Sequence, residues 1–309
     1  MRALPTRVGS LTLGNPVMTA SGTSGHGDEL GAYFDLSELG AVVVKSLSAE
    51  PWPGNPPPRL LPLEGGMLNS VGLQNPGVDR WLSEDLPALE RTGASVVASV
   101  WGFTAESYAA AAQALARAGS RALVAVEANI SCPNVEDRRR MFAHSESGVE
   151  AAVAAAAEGL AGSLPLWAKL SPNVTDLPAM AGAATAAGAE AVTLVNTLMG
   201  LALDPATGEP RLGGGGGGLS GPALHPVAVR AVYDCRAAWP DLPIVGVGGV
   251  SSGEDAAELI AAGADAVQVG TATFADPRAP IRVLDELLRW CEAHGVGSVD
   301  ELKGRAHER

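Results

Sequence analysis

Aromatic residues are almost missing from this chain: Phe, Trp and Tyr together make up 4% of its 309 residues. With 47% of residues hydrophobic, the core must be assembled from Ala, Val, Leu and Ile packed around glycine-rich turns. Cysteine is equally sparse. Three cysteines, an odd number in a long chain, do not make a disulfide framework and fit a reducing compartment. Basic residues are outnumbered, 21 Lys and Arg against 34 Asp and Glu, and the net charge of −13 would repel nucleic-acid phosphates. The alanine-rich stretch at 151–162 contains Glu158 and is too short to span a bilayer. "MRALPTRVGSLTLGNPV" shows no basic or apolar leader. The expectation is a soluble cytoplasmic protein with neither a nucleic-acid nor a membrane partner.

What the chain has in quantity is short β-branched runs, each followed by a longer Ala/Leu segment. The runs are "NPVMTAS" (15–21), "AVVVKS" (41–46), "SVVASV" (95–100), "ALVAVEANIS" (122–131), "PLWAKLS" (165–171), "AVTLVNT" (191–197), "PIVGVGG" (243–249) and "AVQVGT" (266–271). Nearly continuous apolar strands suit a parallel sheet buried on both faces. Helix-start signals lie between them: Thr104 before Ala-Glu-Ser, and Ser252 before Gly-Glu-Asp, with "AELIAAGAD" ending in a glycine stop. Eight strand–helix units predict an α/β fold, a (β/α)8 TIM barrel forming a single domain over 1–309. No other internal repeat and no domain boundary is visible.

Two connections stand out. Residues 48–77, rich in Pro and Gly, read as an elaborated loop after the second strand, and a loop of that length is usually functional. The six-glycine run at 213–218 reads as a floppy surface loop.

Barrel enzymes build their sites from the C-terminal ends of the strands. Those positions are Ala20-Ser21, Lys45-Ser46, Ser99, Asn129, Lys169, Asn196-Thr197, Gly248-Gly249 and Gly270-Thr271. Polar residues at the ends of apolar strands ordinarily just begin loops. Lys45 and Lys169 are different, because a buried ammonium costs several kcal/mol unless an anionic or strongly polar partner offsets it. Together they favour a site for an electron-rich ligand. The glycines of the last two strands suit a phosphate held by backbone N–H groups, and a phosphate with Lys169 nearby suggests flavin mononucleotide, FMN. No metal site is expected. Cys132 sits just past a strand, between Asn129 and Asn134, where a structural cysteine has no reason to be; Cys235 and Cys291 fall in helical segments and read as packing residues.

"NISCPNV", "KLSPNVTD", "VNTLMG", "GGLSGPALHPVAVR" and "GMLNSVGLQNPG" resemble class 1 dihydroorotate dehydrogenases, most closely the class 1B catalytic subunit, in order from "NPVMTASG" to "GTATFADP". The resemblance implies oxidation of (S)-dihydroorotate to orotate in pyrimidine biosynthesis, with Cys132 as base and Lys45 at the catalytic centre. It implies FMN contacts at Ala20, Ser21, Lys45, Ser46, Asn129, Lys169, Val195, Gly221, Gly248, Gly249, Gly270 and Thr271, with Ser99 where relatives carry a flavin-facing asparagine. It implies substrate contacts at Lys45, Asn69, Ser70, Val71, Gly72, Leu73, Asn129, Asn196 and Thr197. It also implies a homodimer of this chain and a partner subunit with FAD and an iron–sulfur cluster, passing electrons to NAD from a heterotetramer.

Cys132 then has a reason for its place: a thiol of ordinary pKa ~8.5 is only slightly ionised at neutral pH, so activity should rise towards alkaline pH. Asn69, Asn129 and Asn196 offer donors and acceptors to a ring of alternating N–H and C=O groups. Besides Ser99, the segment "VEDRRRMFAHS" departs from the resemblance, with Arg138 to Arg140 in place of a glycine pair. Two other readings remain at this stage: an FMN barrel acting on another dihydropyrimidine, and a non-catalytic flavin- or partner-binding barrel.

Overall fold

A computed structural model of the protein describes residues 3–131 and 141–308. Its strands, in chain order, are β1 (Thr6–Val8), β2 (Leu11–Leu13), β3 (Val17–Thr19), β4 (Val42–Val43), β5 (Leu60–Leu63), β6 (Gly66–Asn69), β7 (Val96–Val100), β8 (Leu123–Asn129), β9 (Leu166–Lys169), β10 (Ala191–Leu194), β11 (Leu198–Gly200), β12 (Gly217–Ser220), β13 (Ile244–Val247) and β14 (Ala266–Val269). Eight of them pair in parallel in the order β3-β14-β13-β10-β9-β8-β7-β4. The ring closes between β3 and β4 through a parallel bridge from Met18 to Ala41. All eight barrel strands fall within the eight runs read from the sequence, and the (β/α)8 barrel is the fold observed.

The α-helices among the described residues are α1 (Val78–Glu84), α2 (Leu86–Thr92), α3 (Ala105–Arg117), α4 (Glu146–Leu160), α5 (Leu177–Ala186), α6 (His225–Ala238), α7 (Gly253–Ala262), α8 (Ala272–Ala275), α9 (Ala279–Ala293) and α10 (Val299–Leu302). The predicted caps are present. Thr104 accepts a hydrogen bond from Ser107 N at the start of α3, and Ser252 with Asp255 forms a capping box on α7. Gly263 closes α7 at φ 129°, a conformation that favours glycine. Small residues let α3 and α4 pack closely: a side chain at Gly159 would collide with Ala109 O. Cys235 and Cys291 are buried on α6 and α9, and burial pushes the Cys235 thiol up to about 12.

Side chains alternate between the two faces of each strand. The outward set, such as Val42, Val96, Val126, Val192 and Val267, joins the core under the helices. The inward set is layered. At the floor Met18, Val43, Val97, Ala125, Trp167, Ala191, Val245 and Ala266 form an apolar cluster, which the hairpin β1–β2 caps with Val8 and Leu13. Two residues further along the strands lies a buried polar layer of Ser99, Glu127, Lys169, Thr193 and Gln268.

The elaborated connection at 48–77 contains the antiparallel pair β5–β6, which continues into β12 and β11 as a four-stranded sheet of order β11-β12-β6-β5. The six-glycine run is therefore not a floppy surface loop. Its last residues, Gly217 and Gly218, lie in β12, an interior strand of that sheet, where Gly218 sits opposite Asn69 and Met199. Steric crowding explains the composition. A Cβ on Gly218 would strike Thr197 Oγ1, and one on Gly213 would strike Pro56 O. Here glycine permits close approach of backbones rather than freedom of movement.

Candidate active site

The C-terminal ends of the barrel strands and the four-stranded sheet enclose a cavity of about 450 Å³, within the range of small-molecule and cofactor sites. Except for Ser99 and Cys132, every residue expected at flavin or substrate lines this one cavity. Ser99 lies one layer down, fully buried beneath Ser46, with the two hydroxyl oxygens 2.9 Å apart. Its reach to the site is through Ser46, whose Oγ also accepts from Asn129 Nδ2 at 3.2 Å and lies 3.2 Å from Ser21 Oγ. Cys132 and Arg138 to Arg140 lie outside the described residues. The residues flanking them, Ser131 and Met141, both line the cavity.

One wall is a ladder of amides. Tyr108 donates its hydroxyl to Asn129 O at 2.7 Å, fixing the end of β8 from the helix layer. Asn196 Nδ2 donates to Asn129 Oδ1 at 3.1 Å, and Asn196 Oδ1 accepts from Thr197 N at 2.8 Å. Asn69 Nδ2 donates to Gly218 O at 3.2 Å, so the elaborated connection delivers its asparagine to the same cavity. Asn173, a cavity residue that the sequence reading passed over, braces the loop after β10: its Nδ2 donates to Thr197 O at 3.0 Å and its Oδ1 accepts from Met199 N at 2.8 Å. Its signal was the "SPN" directly beyond Lys169.

Both lysines are present at this wall. Lys169 is buried and has its polar partners inside the barrel. Nζ donates to Gln268 Oε1 at 3.0 Å and lies 3.8 Å from Glu127 Oε1. Glu127, with no exposed surface, was hidden in "ALVAVEANIS" as one charge within an apolar strand. The Lys45 cation is felt by His26, whose ring is pushed down to about 4, first by burial and then by that cation, with Glu29 opposing.

At another part of the cavity, Gly248 and Gly249 have φ of 140° and 69°. Consecutive residues of this kind make a concave stretch of backbone suited to an anion. His225 Nδ1 lies 2.8 Å from Gly248 O, and because a carbonyl only accepts, this nitrogen carries the proton and pins the turn from behind. Among the described residues no group of three His, Cys, Asp or Glu is placed to hold a metal ion, and no helix is long and apolar enough to cross a membrane.

A site with two cations, a set of asparagine amides and a glycine turn suits a phosphate-bearing cofactor with a polar planar substrate beside it. Comparison with known proteins identifies the family. The family model described as dihydroorotate dehydrogenase matches residues 3–290. The catalytic subunit of dihydroorotate dehydrogenase B (NAD(+)) from Alkaliphilus metalliredigens is 45% identical over 297 residues, covering 96% of each chain. The subunit of the same name from Geobacillus kaustophilus is 43% identical over 309 residues, covering 99% of this chain and 96% of that one. A protein of Solibacter usitatus with the provisional name dihydroorotate dehydrogenase A (fumarate) is 46% identical over 302 residues, covering 97% of each.

Proposed function

The chain belongs to the dihydroorotate dehydrogenase family, and from that premise we propose that it oxidises (S)-dihydroorotate to orotate with FMN in the barrel mouth, serving pyrimidine biosynthesis. The observation that carries this reading is the convergence of Lys45, Lys169 and three asparagines, from separate strands and from the connection after β4, on one cavity.

The residues present fit FMN. Gly248, Gly249, Gly270 and Thr271 would hold the phosphate through backbone N–H groups, with Gly221 beside them, while Ala20, Ser21, Ser46, Val195 and Lys169 would hold the ring. Bound flavin supplies the hydride acceptor for the substrate carbon next to the one that loses a proton. Cys132 Sγ takes that proton as general base, leaving the carbon–carbon double bond of orotate. Asn69, Asn129 and Asn196, with Thr197 and the Ser70–Leu73 backbone, hold the ring N–H and C=O groups, so that the two carbons to be oxidised are presented in fixed orientation. Lys45 supplies the cation that attracts a carboxylated substrate into a protein of net charge −13.

The relatives named as catalytic subunits support a second chain in the working enzyme. We place FAD, an iron–sulfur cluster and the NAD reaction there, with a dimer of this chain at the centre of a heterotetramer. The fumarate name carried by one relative favours a second acceptor, to be distinguished by experiment.

The test is a visible spectrum of the purified protein without oxygen, before and after dihydroorotate. A yellow protein that bleaches supports the reading; one that stays oxidised overturns the substrate. Orotate, but not uracil, should perturb the flavin spectrum. Adding fumarate, or NAD with the partner subunit, to the bleached protein then identifies the acceptor by which addition restores the colour.

A further inference from the structure

Lys169 does not stand alone under the cavity. Four strands contribute to a closed set of contacts within the barrel. Glu127 Oε2, on β8, accepts from Thr193 Oγ1 of β10 at 2.9 Å and from Gln268 Nε2 of β14 at 2.8 Å. Gln268 Oε1 in turn accepts from Lys169 Nζ of β9 at 3.0 Å. The amide of Gln268 can face only one way, because its N–H groups serve the carboxylate and its oxygen serves the ammonium. Glu127 Oε1 makes no hydrogen bond among the described residues, and Lys169 Nζ is its nearest cation at 3.8 Å.

Burial without a partner favours the neutral amine of a lysine, and a nearby carboxylate favours the ammonium. The groups around Lys169 Nζ are few. Glu127 faces it from β8, β10 and β14 contribute the uncharged Thr193 and Gln268, and Lys45 shares the cavity wall. Glu127 is thus the only carboxylate placed on Lys169 among the described residues. An ammonium has three N–H bonds, and Gln268 takes one of them, leaving Lys169 able to donate into the cavity that it lines.

We propose that Glu127 is a positioning residue: through Gln268 it holds Lys169 as an ammonium aimed at the flavin, so that reduction of the flavin draws no proton onto this lysine. The proposal rests on FMN occupying the cavity. A carboxylate with no exposed surface, three strand-borne partners and no contact with the cavity has no role in binding substrate. Its effect on the chemistry is the charge that it keeps on Lys169.

The experiment measures the flavin midpoint potential against pH between 6 and 9, without substrate, in the unmodified protein and in Glu127→Gln. The unmodified protein should show one proton taken up per two electrons throughout. In Glu127→Gln the neutral amine of Lys169 should gain its proton only on flavin reduction, so the slope of potential against pH should about double. Adding Lys169→Met should return it to the original slope. Repeating the series with Cys132→Ser removes a Cys132 thiolate as an alternative site for the extra proton.

A Glu127→Gln protein that holds flavin and keeps the original slope overturns the proposal. A two-proton slope already present in the unmodified protein, and lost in Lys169→Met, overturns it too, even where Glu127→Gln fails to fold. An unmodified protein that binds no FMN would instead overturn the assignment of the cavity, a separate outcome visible from the first spectrum.

Discussion

Asn196 Nδ2 donates to Asn129 Oδ1 across 3.1 Å, joining the end of β8 to the residues that follow β10. Each amide orients the other, so neither acts on a substrate independently. Asn196→Ala should lower kcat/KM for dihydroorotate by roughly 10- to 100-fold, the loss of a hydrogen bond to a polar ring plus a misaligned neighbour. The double variant with Asn129→Ala should lose less than the sum of the two single effects, measured as a double-mutant cycle.

With Cys132 as the base, the rate of flavin reduction by dihydroorotate should climb from pH 6 towards pH 9 as the thiolate fraction grows. Cys132→Ala should keep its flavin and nearly lose reduction. A flat profile in stopped-flow measurements, or colourless Cys132→Ala protein, would assign the thiol a structural role instead.

His26 links stability to acidity. Its folded-state value of about 4 lies below the ordinary 6.5, so between these values the unfolded chain binds a proton that the folded chain refuses. Its contribution is present above pH 6.5 and is lost as pH falls towards 4. Partial solvent exposure reduces the effect to on the order of 1–2 kcal/mol. Denaturant titrations at pH 7 and pH 4.5 should therefore differ less in His26→Gln than in the unmodified protein.

Gly248→Ala should weaken FMN retention by roughly 10- to 100-fold, matching the 1–3 kcal/mol expected of a side chain forced into this backbone region. The added Cβ would stand 2.7 Å from Ala228 Cβ, and φ of 140° disfavours any side chain. Equilibrium dialysis of FMN measures the change, while circular dichroism should show an intact barrel.

The barrel was legible because strands buried on both faces are written as unbroken apolar runs, and Thr104, Ser252 and Gly263 mark helix ends by their own chemistry. The strand-end rule also marks twelve of the residues that line the cavity. It failed where a side chain's neighbours come from distant sequence. Glu127 looks like one misplaced charge until Gln268, 141 residues away, comes alongside it. Ser99 occupies a strand end but belongs to the layer beneath Ser46. Glycines 213–218 read as freedom to move, because composition does not show that Thr197 and Pro56 O crowd against them. Asn173 was missed for a similar reason, since its partners Thr197 and Met199 belong to the next strand–helix unit.

The hairpin β1–β2 closes the far end of the barrel with Val8 and Leu13. A sealed floor makes the molecule a cup rather than a tube: whatever enters must leave by the rim it came in through. Substrate and product therefore exchange at the same rim. The base of the cup carries no such traffic, so residues there are free to change for packing alone while the rim is held to its chemistry.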